Sequence, residues 1–214
     1  MLFASKIIYY VFMSKNELFR KIKDSILGLK DLSSFTLAAT GEVSTLKGVL
    51  KVPVSGNIVA VRERNEIYLH GEISLLTYSY KGFYHNLNGN VSSGLNDKEE
   101  AFTGKPIDVD SIIEGVQKFL GTHYDDLNEN EDGVLVLKLK EDATYDLMRQ
   151  IGFNVSLVDK YLKESHVHDL CFVIKEKTFN TVTLTADAKL EGIPVEAAIT
   201  VALKDIDNSQ AVIQ

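Results

Sequence analysis

Tryptophan is absent from this sequence, cysteine occurs once and proline three times. With Cys171 alone no internal disulfide can form, so packing must hold the chain together. Single thiols suit reduced compartments, yet exported bacterial proteins often lack disulfides too, so cysteine usage does not fix the compartment. Long apolar runs are missing as well. The longest early one, Ile7 to Met13, falls far short of the roughly 20 residues that a membrane-spanning helix needs. Lys6 precedes it, but no small-residue cleavage site follows and no cysteine suited to lipidation lies near the start, so it reads poorly as a signal peptide. Two locations stay open: the cell envelope, if an export signal was removed, or the cytoplasm. Basic excess is lacking too. A net charge of −7 repels phosphate backbones and argues against nucleic acid as a partner.

What is present is apolar bulk. Hydrophobic residues make up 45% of 214, enough for a sizeable core and too many for disorder. This length suits one domain, 1–214, with 1–13 as a lead-in segment or strand. Charge is unevenly spread. Residues 1–30 carry Lys6, Lys15, Arg20, Lys21, Lys23 and Lys30 against Glu17 and Asp24, whereas residues 91–133 are acidic. Solvated faces account for both; contact between the basic end and an anionic membrane surface is the sharper alternative.

Periodicity divides the chain into helices and strands. Ser14-x-x-Glu17 forms a capping box, with Met13 and Leu18 placed as a hydrophobic staple. Leu18, Phe19, Ile22, Ile26, Leu29 and Leu32 follow at helical spacing, which predicts a helix over 15–32. From Ser34 the period becomes two. Strands are expected over 34–39 and within 43–54, then a hairpin of 57–62 with 66–76 around Glu63-Arg64-Asn65. A second hairpin, 77–80 with 83–87, is expected around Lys81-Gly82, and 88–106 reads as a loop. Asp108 or Asp110 caps a second helix to about Tyr124, with Ile112, Ile113, Val116, Phe119 and Leu120 as its apolar stripe. A turn over 128–133 and a strand over 134–140 come next. Short helices are expected at 142–150 and 156–165, and strands at 168–175, 181–190 and 194–204. No βαβ rhythm repeats, so the class is α+β with an antiparallel sheet.

Motifs of chemistry are scarce. His166-Val-His168-Asp169-Leu-Cys171 offers four metal-ligating groups, but on a strand the histidines share one face and Cys171 takes the other. Asn128-x-Asn130-x-Asp132-Gly133 begins like a calcium loop, yet its twelfth position is Leu139. Gly104-Lys105 lacks the preceding glycine of a phosphate loop, and no Gly-x-Ser-x-Gly occurs. Cys171 sits among apolar neighbours that raise a thiol pKa rather than activate it. No metal, cofactor or catalytic residue is assigned, and the reading is of a non-enzymatic protein.

In this order of elements the chain resembles the LolA/LppX-like superfamily of bacterial envelope proteins and lipoproteins. The likeness is carried by the helix leading into Leu29-Lys-Asp-Leu-Ser-Ser-Phe35-Thr-Leu and by Tyr78-Ser-Tyr80-Lys-Gly-Phe-Tyr84. The strand after an Asp-Gly turn, Glu131-Asp-Gly-Val-Leu-Val-Leu137, also contributes, as do the closing strands Cys171–Phe179 and Val182–Leu190. It spans most of 14–207 by pattern, without an invariant motif. The resemblance implies an open half-barrel, a curved antiparallel sheet with amphipathic helices across its concave face, and a hydrophobic cavity for a lipid or acyl chain. Helices do not fill a deeply curved sheet completely, which is the physical route to such a cavity. The expected lining comes from the second helix and the two short ones: Val116, Phe119, Leu120, Leu147, Met148, Ile151, Leu157 and Tyr161. The alternative is that these residues are close-packed core and the chain is a protein-interaction or structural module without a ligand.

Overall fold

A computed structural model describes residues 13–45, 48–75, 78–96, 98–100, 106–140, 166–190 and 193–207. Helix α1 (Lys15–Leu27) begins where the capping box put it. The Ser14 hydroxyl accepts from the Glu17 N–H at 3.3 Å, and the Glu17 carboxylate accepts from the Ser14 N–H at 2.8 Å. Leu18, Ile22 and Ile26 are buried on one face. The α-helix stops five residues before the expected Leu32 and tightens into a 3₁₀ turn, Gly28–Asp31. Gly28 lies against the backbone of a later hairpin: a Cβ there would come within 2.5 Å of the Lys177 carbonyl oxygen.

Eleven strands among the described residues form one antiparallel sheet. In chain order they are β1 (Ser34–Thr45), β2 (Leu50–Val61), β3 (Glu66–Leu75), β4 (Tyr78–Leu87), β5 (Asn90–Leu95) and β6 (Lys98–Glu100). After helix α2 (Val109–His123) come β7 (Tyr124–Glu129), β8 (Leu135–Leu139), β9 (His166–Lys175), β10 (Thr178–Leu190) and β11 (Ile193–Lys204). The sheet order is β6-β5-β4-β3-β2-β1-β11-β10-β9-β8-β7, so the first and last strands meet in the middle and the edges are β6 and β7. The sheet is curved and unclosed, an α+β half-barrel with helices on its concave side.

Register explains which side is concave. Leu37 pairs with Ile58 and with Leu203, and Ile58 pairs with Leu69, giving one apolar row across four strands. A second row runs Ala39, Val201, Val182, Phe172 and Leu135, and a third joins Ile199, Leu184, Leu170, Leu137 and Leu127. The opposite face carries threonines, among them Thr183 and Thr200, hydrogen-bonded across β10 and β11 at 3.0 Å. Burial of that first face drives folding. Phe119, Ile22, Leu120, Leu135 and Leu137 are almost wholly buried, each contributing roughly 1.5–3 kcal/mol against exposure. Gly56, Gly71 and Gly82 are direct cross-strand partners on β2, β3 and β4, a line without side chains on the concave face where the sheet can bend tightly.

Several elements differ from the sequence expectation. Tyr78–Leu87 is one strand, not a hairpin about Lys81-Gly82, because Lys81 and Gly82 pair with Glu72 and Gly71 in an unbroken ladder. The expected loop over 88–106 holds β5 and β6. Asn88 and Gly89, both with positive φ, turn β4 into β5. Strand β7 was not foreseen. Strand β1 continues through Gly41, where a Cβ would lie 2.3 Å from the Ala198 carbonyl oxygen of β11. Residues 1–12 of the lead-in expected over 1–13, and the short helices expected at 142–150 and 156–165, lie outside the described residues.

Candidate functional site: an apolar chamber under helix α2

Asp108 fixes where α2 starts. Its carboxylate accepts from the Ser111 N–H at 2.8 Å and from the Ser111 hydroxyl at 2.6 Å, as a cap at a helix N-terminus should. From there Val109, Ile112, Ile113 and Val116 recur at helical spacing and face the sheet. Between this half of α2 and the sheet lies a cavity of about 230 Å³. Ile26 of α1 and Leu29 of the 3₁₀ turn close one side. Phe35, Leu37, Ile58 and Ile67 of β1 to β3 and Phe179, Val182 and Val201 of β10 and β11 form the floor. Every lining side chain is apolar. A larger depression beside Asn128–Gly133, about 1100 Å³, mixes Met13, Leu18 and Leu127 with Lys15, Glu129, Glu131 and Asp132.

The expected lining residues separate on inspection. Val116 lines the chamber. Phe119 and Leu120, one turn further along α2, are 0% and 1% exposed and pack with Leu127, Leu135 and Leu137 in the core, which continues into the chamber's Ile26, Leu29, Phe35, Ile113 and Phe179. Leu147, Met148, Ile151, Leu157 and Tyr161 lie outside the described residues. Sequence reasoning did not foresee the part played by Ile26 and Leu29, or by the sheet floor. The alternating pattern of β1, β2 and β11 was the signal for the floor, since period two assigns Leu37, Ile58 and Val201 to a single face once the register is known.

Polar contacts hold the N-terminal end of α2 in place. The Ile107 N–H donates to the Tyr84 hydroxyl at 2.7 Å, and the Asn86 amide donates to the Ile107 carbonyl at 2.8 Å while accepting from the Gly89 N–H. Arg62, at the end of β2, reaches Asp110 with both terminal nitrogens, at 2.6 and 3.3 Å. Those hydrogen bonds hold the Asp110 carboxyl below its ordinary value. Lys30 donates to Glu114 at 2.7 Å and Gln117 to the Lys23 carbonyl at 3.2 Å, which ties α2 to the first helical segment. A second, smaller cavity of about 90 Å³ lies at this end, lined by Arg62, Asn65, Glu66, Asn86, Asp108 and Asp110. Ile67 and Val109 line both cavities.

The histidine-rich segment behaves as strand. His166 and His168 have edge-to-face rings 4.4 Å apart, and His168 pairs with Asp187. Among the described residues no three His, Cys, Asp or Glu side chains gather as a metal site. Burial pushes the Cys171 thiol up, and Asp169 adds to the effect. No described helix is long and apolar enough to cross a membrane.

No protein-family model and no curated protein matches the chain. Among solved structures it is similar to LprF from Mycobacterium bovis, with 10% identity and a TM-score of 0.46 over 94% of this chain and 97% of that one. It is also similar to a DUF1329 family protein from Desulfovibrio piger, with 7% identity and a TM-score of 0.35 over 93% and 94%. Similarity this slight transfers no function, so the chamber has to be read from its own chemistry.

Proposed function

We propose that this protein binds an apolar ligand, an acyl chain of a lipid or a molecule like it, in the chamber between α2 and the curved sheet, and performs no reaction on it. One observation carries this reading: a cavity of about 230 Å³ whose lining is apolar throughout. Water gains little in such a space because it finds no hydrogen-bond partners, whereas an engineered apolar cavity of roughly 150 Å³ stays dry and takes up benzene or xenon. The chamber is larger than that and smaller than the roughly 300–1,000 Å³ of pockets for drug-sized ligands. It therefore suits one slender apolar group. Each methylene moved there from water contributes about 0.8 kcal/mol, so a chain of several methylenes binds without any polar contact.

The test is saturable binding of N-phenyl-1-naphthylamine, an uncharged fluorophore that brightens in apolar surroundings. The sequence has no tryptophan to interfere. The wild-type protein should give a saturable rise in emission, and a Val116→Phe/Val182→Phe double variant, which narrows the chamber from lid and floor, should lose it. Equal binding by a folded double variant, or no binding by the wild type, would refute the reading.

A further inference from the structure

The two cavities at α2 are neighbours that share Ile67 and Val109 in their linings. One side of that pair is wholly apolar; the other carries Arg62, Asn65, Glu66, Asn86, Asp108 and Asp110. We infer that the ligand is a single-chain amphiphile with an uncharged, hydroxyl-bearing head: the chain fills the apolar chamber and the head sits among these polar groups at the start of α2. The inference rests on the apolar-ligand reading and adds the class of molecule to it.

Volume sets the number of chains. At roughly 30 Å³ for a group the size of a water molecule, a chamber of about 230 Å³ holds about seven or eight methylenes. That is the bulk of one short chain, and it leaves no volume for a second chain of the same length.

Charge and hydrogen bonding set the head. Arg62, Glu66, Asp108 and Asp110 sum to two negative charges, so a carboxylate or phosphate head meets repulsion and must displace Asp110 from Arg62. An ammonium head fits no better. Both oxygens of Asp108 already accept from Ser111, both oxygens of Asp110 accept from Arg62, and Glu66 is paired with His85 at 2.9 Å and Arg64 at 3.0 Å, so each of the three carboxylates already has its partner. A neutral head needs no counter-ion. Its hydroxyls can accept from the Arg62 N–H groups that Asp110 does not use and from the Asn65 amide, and can donate to remaining lone pairs of the aspartates. The cavity of about 90 Å³ has room for roughly three groups of water size, the scale of a glycerol or an ethylene glycol end.

Asn65 offers a clean probe. Its φ is 46°, a left-handed conformation that glycine also adopts, so Asn65→Gly removes the amide side chain and keeps the turn. The experiment is displacement of N-phenyl-1-naphthylamine by 1-monooctanoylglycerol, octanoate and octyltrimethylammonium, which share one chain length and differ in the head. The glycerol ester should displace the probe at a concentration about tenfold below either ion, a difference equivalent to about 1.4 kcal/mol. Asn65→Gly should weaken the ester about fivefold, as loss of one hydrogen bond does, and weaken octanoate and octyltrimethylammonium less. Asp110→Asn should narrow the gap between ester and octanoate by removing a negative charge. Equal displacement by all three ligands, or preference for an ion, overturns the inference while the probe's own binding keeps the apolar-ligand reading intact. Failure of the probe to bind refutes both.

Discussion

Replacing Val116 by leucine adds one methylene to a side chain that already lines the chamber. In a filled core such an addition forces neighbours off their rotamers and costs roughly 1–3 kcal/mol. Here it enters a space of about 230 Å³, several times the bulk of the added group. Burying it should contribute about 0.8 kcal/mol, and leucine exceeds valine in helix propensity by a few tenths more. The expected result is a protein about 1 kcal/mol more stable. Urea unfolding should show an unchanged slope and a midpoint raised by about 0.3–1 M. Leu120→Phe supplies the control. Leu120 is 1% exposed and lies one turn along the same helix in the close-packed cluster, so enlargement there should destabilise by about 1–3 kcal/mol. If both variants lose stability alike, the space under α2 is not hollow and the reasoning fails.

Two further outcomes follow from the described contacts. Gly41→Ala should destabilise by several kcal/mol, since the new Cβ would lie 2.3 Å from the Ala198 carbonyl oxygen and 2.8 Å from the Ile199 Cα, both backbone atoms of the adjoining strand; thermal unfolding measures it, and a melting temperature within a degree of wild type would contradict the strand register. Asp110 should titrate below the 3.8 of an unperturbed aspartate because Arg62 donates to it, and Arg62→Gln should return it towards that value by carboxyl-carbon NMR. With the folded pKa depressed, the stabilisation is present above the unfolded pKa and is lost as pH falls through the folded one. Arg62→Gln should therefore flatten the dependence of stability on pH below about 4, and an unchanged acid limb would argue that the pair does not persist in solution.

How much of this was legible beforehand varies by element. Ser14 and Glu17 fixed the start of α1, and Asp108 that of α2, because capping is a local interaction written in a few residues. The end of α1 was not local: Gly28 meets the backbone of Lys177, a contact that no window of sequence contains. Gly82 shows the reverse error. Its glycine suggested a turn, but Gly71 and the flanking ladder hold it extended within β4. The turn lay instead at Asn88-Gly89, a pair with a strong hairpin signal, masked by the polar composition that made 88–106 read as a loop. For the site, helical spacing put Val116, Phe119 and Leu120 on one inward stripe of α2 with equal weight, while in the fold Val116 borders the chamber and the other two are buried in the core. Periodicity reports which face is buried and not whether the space beyond it is filled. That distinction depends on how Ile26, Leu37, Ile58 and Val201 meet α2, and their positions follow from strand order, with β1 beside β11 at the centre of the sheet.

Hollowness under α2 is the claim on which the rest depends, and xenon tests it directly. Crystals of the protein pressurised with xenon should show an anomalous peak between α2 and the sheet, in van der Waals contact with Val116, Val182 and Ile58, or continuous density of a bound chain in the same place. A map with that space filled by the protein's own side chains, and no xenon there, would contradict it.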